Sequence, residues 1–526
     1  MIYVSLNDSS FTYDVHSLVR AFYPGEEVTV TDPCSFKEQG FKEQSFKKHR
    51  FKEHGLKESD FKGHDFKEHS TEADETVRLF IVIVFCADAR IRVSFYLPGK
   101  EEPVLSDEAV LTGTERPAVK NSLKRKLYDL LSAYTKQELP WGSLTGIRPV
   151  KIPMKLLREG ASDGEIRDYM KERYRISDTK SELALAIAKK ERGILEKAAE
   201  PSGYSLYVGI PFCPTTCAYC SFTSFSLAKW EDRVEDYLNA LQREIDYTAR
   251  AFAGRPLLSL YIGGGTPTTL SPAQAERLYT LLEERFDLSR LREWTVEAGR
   301  PDSITPEKLA VMRAHGITRI SINPQTMKEE TLRLIGRHHT VRQTVEAFHM
   351  AREAGFDNIN MDLILGLPQE TADDVRRTME QVCALTPDSI TVHSLAIKRA
   401  ARLNMQPEEF ASYFMQNSEE SMEMTRRYAA DIGLTPYYLY RQKNMVGNLE
   451  NVGYARAGRE GLYNILIMEE IHDIPALGAG AVSKRVLAGD RPGTQRIERC
   501  ANVKDIASYL ERVDEMIDRK RALYRS

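Results

Sequence analysis

Three cysteines, Cys213, Cys217 and Cys220, stand at spacings of four and three in Cys-Pro-Thr-Thr-Cys-Ala-Tyr-Cys. Three close thiolates can hold three irons of a cubane cluster and leave the fourth iron open to a substrate, whereas electron-transfer ferredoxins close all four sites with cysteine. A structural zinc site asks for four ligands in two pairs, and no fourth cysteine or histidine follows within twenty residues. Chance clustering and a partial zinc site are the bland alternatives, and a short motif gains weight only from its structural context.

That context is a regular alternation. Strand-like runs occur at Leu206 to Ile210, Leu257 to Ile262, Trp294 to Ala298, Ile317 to Ile322, Asn358 to Ile364 and Ser389 to Leu395, with helical stretches between them. Strand–helix alternation of this length predicts parallel strands with helical crossovers. The fold class expected is α/β: a partial (β/α)6, TIM-like barrel at 201–400, with functional residues at the C-terminal strand ends. The polar and glycine residues fall there. The cysteines follow the first strand, Gly263-Gly-Gly-Thr-Pro267 the second, Glu297 ends the third, Asn323-Pro-Gln325 follows the fourth, and Asp362 and His393 lie in the fifth and sixth. His393 reads as a satisfied core or rim histidine.

The flanks divide as follows. Residues 1–35 and 74–200 form an N-terminal α+β module, with strands at Met1 to Leu6, Glu27 to Thr31, Val77 to Ala87 and Ala89 to Tyr96, then helices from Arg116 on. Residues 36–73 hold a five-residue repeat, Phe-Lys-Glu-His-Gly in type, whose period matches neither helix nor strand, and it reads as a disordered low-complexity insertion. Its His49, His54, His64 and His69 could hold a stray metal ion; a solvated spacer is the plainer reading. Lys120, Lys124, Arg125 and Lys126 form a basic cluster, and Arg148 is a candidate for gripping a carboxylate. Residues 401–526 are expected to be a mainly helical, substrate-covering region, with a helix through Pro407 to Ile432 and a Tyr-, Asn- and Gly-rich binding loop at Tyr437 to Tyr454. Leu477-Gly-Ala-Gly-Ala-Val-Ser483 would let backbone approach something closely.

With a formal net charge of -3 in 526 residues, the chain is not a general nucleic-acid coat. Seven cysteines, an odd number, do not read as a disulfide framework. The longest apolar run, Leu79 to Ala87, is too short to span a membrane, and the N-terminus lacks the charge and apolar core of a signal peptide. A reducing, cytoplasmic and oxygen-poor setting is expected.

The cysteine spacing together with the glycine motif resembles the radical S-adenosylmethionine superfamily. Tyr207-Val-Gly-Ile-Pro-Phe-Cys213, Gly263 to Thr268, Arg319 to Gln325, Gly336-Arg-His338 and Asp362 to Gln369 resemble the oxygen-independent coproporphyrinogen III oxidases and their relatives over residues 204–485. The N-terminal module, Trp141 to Pro149 and Tyr437 to Tyr454 are similar to the HemZ-type coproporphyrinogen dehydrogenases. This resemblance implies that Cys213, Cys217 and Cys220 bind a 4Fe–4S cluster whose open iron chelates S-adenosylmethionine. It implies that a 5′-deoxyadenosyl radical takes hydrogen from a propionate of coproporphyrinogen III, that carbon dioxide and an electron leave, and that a vinyl group remains in heme biosynthesis. Tyr207, Tyr219, Gly264, Gly265, Thr266 and Glu297 would contact S-adenosylmethionine. Gln325, Arg337 and Asp362 would contact a second S-adenosylmethionine or the substrate, and with Glu297 these are the catalytic candidates. Gly478 and Gly480 are a further carry-over. A flavodoxin- or ferredoxin-type electron donor is implied.

Two positions depart from the family. Phe222 stands where the well-studied oxidases carry a further cysteine, and Tyr463-Asn464 stands where related heme chaperones carry a His-Asn pair. A heme chaperone that retains the fold is therefore the alternative, with Tyr463, a tyrosine of 437–440 or Cys500 left as heme ligands. A radical enzyme acting on RNA is a third reading, but no RNA module is recognisable.

Overall fold

In the computed structural model, residues 1–33, 77–145, 148–198, 200, 202–398, 400–442, 445–489 and 495–525 are described. The five-residue repeat, its histidines and Cys34 lie outside them. The chain forms two compact units, 1–146 with 156–183, and 147–155 with 184–526. One boundary between them falls inside the helix Asp178–Ala198.

The first unit is a five-stranded sheet of β1 (Ile2–Leu6), β2 (Val28–Thr31), β3 (Leu79–Phe85), β4 (Arg90–Tyr96) and β5 (Leu105–Val110), in the order β2-β1-β3-β4-β5. The helices Thr12–Phe22 and Arg116–Thr135 pack Val15, Leu18, Leu123, Leu127 and Leu131 against Val4, Ile81 and Val93. Two members of the basic cluster are used locally: Lys126 pairs with Asp107 at 2.5 Å, and Lys124 is buried and donates to Thr145 at 2.7 Å.

The second unit is built on a nine-stranded sheet. Its strands in chain order are β6 (Tyr204–Ile210), β9 (Leu257–Gly264), β10 (Glu293–Glu297), β11 (Arg319–Ser321), β12 (Ile359–Leu365), β13 (Ser389–Ser394), β14 (Thr435–Tyr440), β15 (Asn451–Ala455) and β16 (Ala476–Leu477); β7 (Phe212–Cys213) and β8 (Phe225–Ser226) pair separately. From β6 to β13 neighbours are parallel and in chain order, each pair joined by a helix such as Val234–Ala251, Pro272–Arg285 or Ala372–Ala384. The strands are largely buried on both faces; one face is apolar, with Leu206, Val208, Leu260 and Met361, and the other carries Ser205, Ser259, Asn360 and Asp362. Ser271, Thr340 and Thr371 start their helices with capping boxes, which satisfies free N–H groups at the end of the barrel where the strands finish.

The expected helical C-terminal region is mixed instead. β15 runs antiparallel to β13, β14 antiparallel to β15, and β16 adds parallel to β6 at the other edge, so residues after 400 extend the barrel sheet. Tyr437 to Tyr440 are strand, which aromatic side chains favour on a buried pleated surface. The continuous helix read at Pro407 to Ile432 is the short helices Pro407–Phe410 and Glu419–Asp431. A hairpin, β17 (Val482–Ala488) with β18 (Gln495–Ala501), and the helix Val513–Arg525 complete the unit. Among the described residues no helix is long and apolar enough to cross a membrane.

Candidate active site

The strands β6 and β9 end together, and their loops are locked by backbone. Gly265 N donates to Ile210 O and Thr266 N to Phe212 O, each at 2.7 Å. A Cβ on Gly265 would lie 2.6 Å from Phe212 O, and Gly264 has φ +109°, so both positions need glycine to seat one loop on the other. Across the barrel, Ala218 N donates to Ile335 O at 2.9 Å and Thr215 Oγ1 to Gly336 O at 2.8 Å. The cysteine loop is therefore tied at both ends.

These loops and the other strand ends enclose one cavity of about 250 Å3. Its lining brings together Cys213, Cys217, Cys220, Tyr219, Gly264, Gly265, Thr266, Glu297, Gln325, Arg337 and Asp362, which come from five separate strand ends. Tyr207 is not among them. It faces a second cavity on the other side of Gly264, stacked with Tyr463 and Tyr261.

The thiols have donors of their own. Thr266 Oγ1 lies 3.4 Å from Cys213 Sγ, Ser224 Oγ 3.6 Å from Cys220 Sγ, and Arg300 Nη1 4.0 Å from Cys217 Sγ. Burial pushes the Cys213 thiol up to about 12 and raises Cys220, with the neighbouring thiols adding to it. Thiols so placed stay protonated until a metal takes the proton's place. Among the described residues no three Cys, His, Asp or Glu side chains converge on a single metal-ion position. The three thiols line one cavity. Arg300 is itself buried and held by Asp302 at 2.8 and 3.0 Å. A fixed cation thus stands behind the cysteine loop.

Glu297 ends β10 and accepts from Tyr261 OH at 2.5 Å and Gly264 N at 3.3 Å. Burial raises its carboxyl to about 7; the Asp362 charge adds to this, and the two donors offset part of it. Arg337 donates to Tyr219 OH at 3.2 Å, Gly299 O at 3.0 Å and Asn323 O at 2.6 Å, and its Nε has no partner. Gln325 sits at φ +67° with its Oε1 buried and unpartnered. Strained backbone and orphaned polar atoms at a cavity wall mark where a polar ligand would repay the cost. Asp362 is oriented by Asn360 Nδ2 at 2.7 Å.

The sequence did not single out several lining residues. Arg300, Lys398, Tyr440 and Asn451 reach the cavity from loops and from the added strands. His393 lines it too, 3.4 Å from Tyr440 OH and 4.0 Å from Asp362, with burial lowering its pKa. Only the polar character of the 437–454 stretch signalled such a contribution. Arg148 grips a carboxylate, but the chain's own: Glu470 at 2.6 Å. The Gly478 and Gly480 backbones fit against Gly209 and Thr223, where added Cβ atoms would stand 2.4 and 2.0 Å away. Phe222, at the rim, is 75% exposed.

Residues 207–382 match the Radical SAM superfamily. The chain is 42% identical over 77% of its length to the oxygen-independent coproporphyrinogen-III oxidase-like protein HemZ of Bacillus subtilis, spanning 82% of that protein. It belongs to the radical SAM family of coproporphyrinogen III oxidase-like proteins. Within this family it is also similar to the heme chaperone HemW of B. subtilis, at 30% identity over 59% of this chain and 76% of that one. With the oxygen-independent coproporphyrinogen III oxidase of Escherichia coli it shares 38% identity over 36% of this chain and 42% of that one. As a radical SAM protein it uses a 4Fe–4S cluster and S-adenosylmethionine, and the three-thiol wall with its adjoining polar cavity suits both.

Proposed function

We propose that the protein is an oxygen-independent coproporphyrinogen III oxidase that converts propionate side chains to vinyl groups in heme biosynthesis. The observation that carries this reading is the single cavity that joins three cluster-type cysteines to Glu297, Gln325, Arg337 and Asp362. The 42% likeness to an oxidase-like protein over most of both chains supports it.

Cys213, Cys217 and Cys220 would hold the cluster, and Glu297, Gly264, Thr266 and Tyr219 would hold S-adenosylmethionine. Together these groups supply reductive sulfonium cleavage and hydrogen-atom abstraction when bound. The protein's own part is placement and shielding. Thr266 and Arg300 donate toward the sulfurs of Cys213 and Cys217, and Ser224 would donate to a Cys220 thiolate, so all three favour the anionic form. Glu297, poised near 7, is drawn into its ionised form by an ammonium group. Arg337 and Lys398, lining the same cavity, attract and orient a substrate carboxylate. Asp362, His393 and Tyr440 form a polar wall at the opposite side.

The test is anaerobic turnover. Reconstituted, reduced protein with S-adenosylmethionine, coproporphyrinogen III and an electron acceptor should yield protoporphyrinogen IX and 5′-deoxyadenosine, and Cys217→Ala should yield neither. Deoxyadenosine without porphyrinogen conversion would refute the substrate assignment, and a heme titration would then test the chaperone reading.

A further inference from the structure

A second cavity, of about 220 Å3, adjoins the first and shares Gly264 and Phe222 with it. Apart from Thr223, its neutral walls are apolar, aromatic or glycine: Tyr207, Ile210, Tyr463, Ile467 and Val482 among them. One charged side chain lines it, Lys484. Tyr463 stacks on Tyr261 at 4.5 Å, and Tyr261 holds Glu297, so this aromatic wall backs directly onto the first cavity.

Lys484 belongs to a group of four cations that face one buried carboxylate, Glu470. Glu470, 6% exposed by its side chain, faces Arg148 at 2.6 Å, Arg499 at 3.0 Å, Lys151 at 3.5 Å and Lys484 at 3.8 Å. Burial opposes ionisation of Glu470, but the Arg148 hydrogen bond and the surrounding cations hold its carboxyl below the ordinary value. The C-terminal end of the helix Leu462–Glu469 also takes Arg148, which donates to Met468 O at 2.8 Å. Lys484 has the poorest share. Its Glu470 contact is too long for a hydrogen bond, and its contact with Ile467 O is 3.4 Å. Burial and the neighbouring cations lower this ammonium to about 8, so it remains mostly charged at neutral pH. A lone cation in an apolar, aromatic cavity fixes the orientation of a ligand with a flat body and an anionic end.

We propose that the second cavity is an anchoring subsite for a carboxylate arm of the substrate, with Lys484 binding the carboxylate while another arm reaches the cysteines. The proposal rests on the functional reading above and deepens it, since it requires a substrate with an apolar ring body and several carboxylates. Lys484 is then a specificity residue that sets which arm is presented, with no part in the chemistry.

The test uses reconstituted holoenzyme of wild type, Lys484→Met and Lys484→Arg under anaerobic conditions, with coproporphyrinogen III as substrate. Lys484→Met should raise KM about tenfold with kcat largely kept, and Lys484→Arg should stay near wild type, as loss of one charge-assisted bond used equally in ground and transition states requires. An unchanged KM in Lys484→Met, with wild type active, overturns the subsite and leaves the functional reading standing. A wild type that neither binds nor converts the substrate overturns both. Should Lys484→Met fail to retain its cluster, Lys484→Gln in the same assay decides. Its KM should also rise about tenfold, and an unchanged KM overturns the proposal.

Discussion

Replacing Lys520 by Met should destabilise the barrel unit by an amount the structure sets. The Lys520 side chain is 1% exposed and pairs with Glu244, which is 0% exposed. Glu244 also accepts from Tyr509 OH at 2.6 Å, Gly478 N at 2.7 Å and Asn502 Nδ2 at 2.9 Å. Lys520→Met strands a buried carboxylate, and removing one partner of a buried pair costs about 3–5 kcal/mol. Three remaining neutral donors favour the low end, about 3 kcal/mol. At about 2 °C per kcal/mol for a large domain, thermal unfolding followed by circular dichroism should drop by about 6 °C. Arg512→Ala breaks an exposed pair with Glu515, 44% and 45% exposed, and should melt within about a degree of wild type. Adding Glu244→Gln to Lys520→Met should recover much of the loss, because no unpaired charge remains. Gly478 N depends on Glu244, so hydrogen exchange at Gly478 to Ala481 should quicken in Lys520→Met. If Lys520→Met melts like the Arg512→Ala control, the pair does not clamp the C-terminal helix and the glycine loop to the barrel, and the reasoning fails.

The remaining predictions concern the site. Gly265→Ala should force the Thr266 loop off Phe212 O, costing about 1–3 kcal/mol as overpacking does, and lower reconstituted iron content in elemental analysis. Cys217→Ala should lose most of the visible absorbance of the reconstituted cluster while its far-ultraviolet circular dichroism stays near wild type. Glu297 titrates near 7 when folded against an ordinary 4.5. The stability it contributes is therefore fully present below about pH 4.5 and is lost as pH rises through 7, up to about 3 kcal/mol. Glu297→Gln should flatten that slope in urea titrations of the cluster-free protein.

Local signals carried well from sequence to structure. The cysteine spacing, the Gly263 to Thr266 turn and the carboxylates at strand ends are short-range patterns. Strand–helix alternation alone places them on one rim, so their meeting in one cavity was legible. Tyr207 was harder. Proximity to Cys213 suggested the same cavity, but on β6 it shares a face with Gly209, two residues on, and both line the second cavity. Tyr437 to Tyr440 read as a loop because polar aromatic runs lack a clear apolar alternation, yet they pair with β15 in the sheet. Arg300, Lys398 and Lys484 were invisible as site residues because isolated cations on surface and in cavity look alike until remote segments are brought together. One boundary between the two units lies inside a helix whose periodicity does not change there.

The central claim is that this cavity delivers a hydrogen-abstracting species to a propionate arm. The most direct measurement is mass spectrometry of 5′-deoxyadenosine formed during anaerobic turnover of coproporphyrinogen III deuterated along its propionate carbons. The account predicts deuterium in the deoxyadenosine and vinyl groups in the product. Deoxyadenosine free of deuterium, alongside unchanged porphyrinogen, would contradict it.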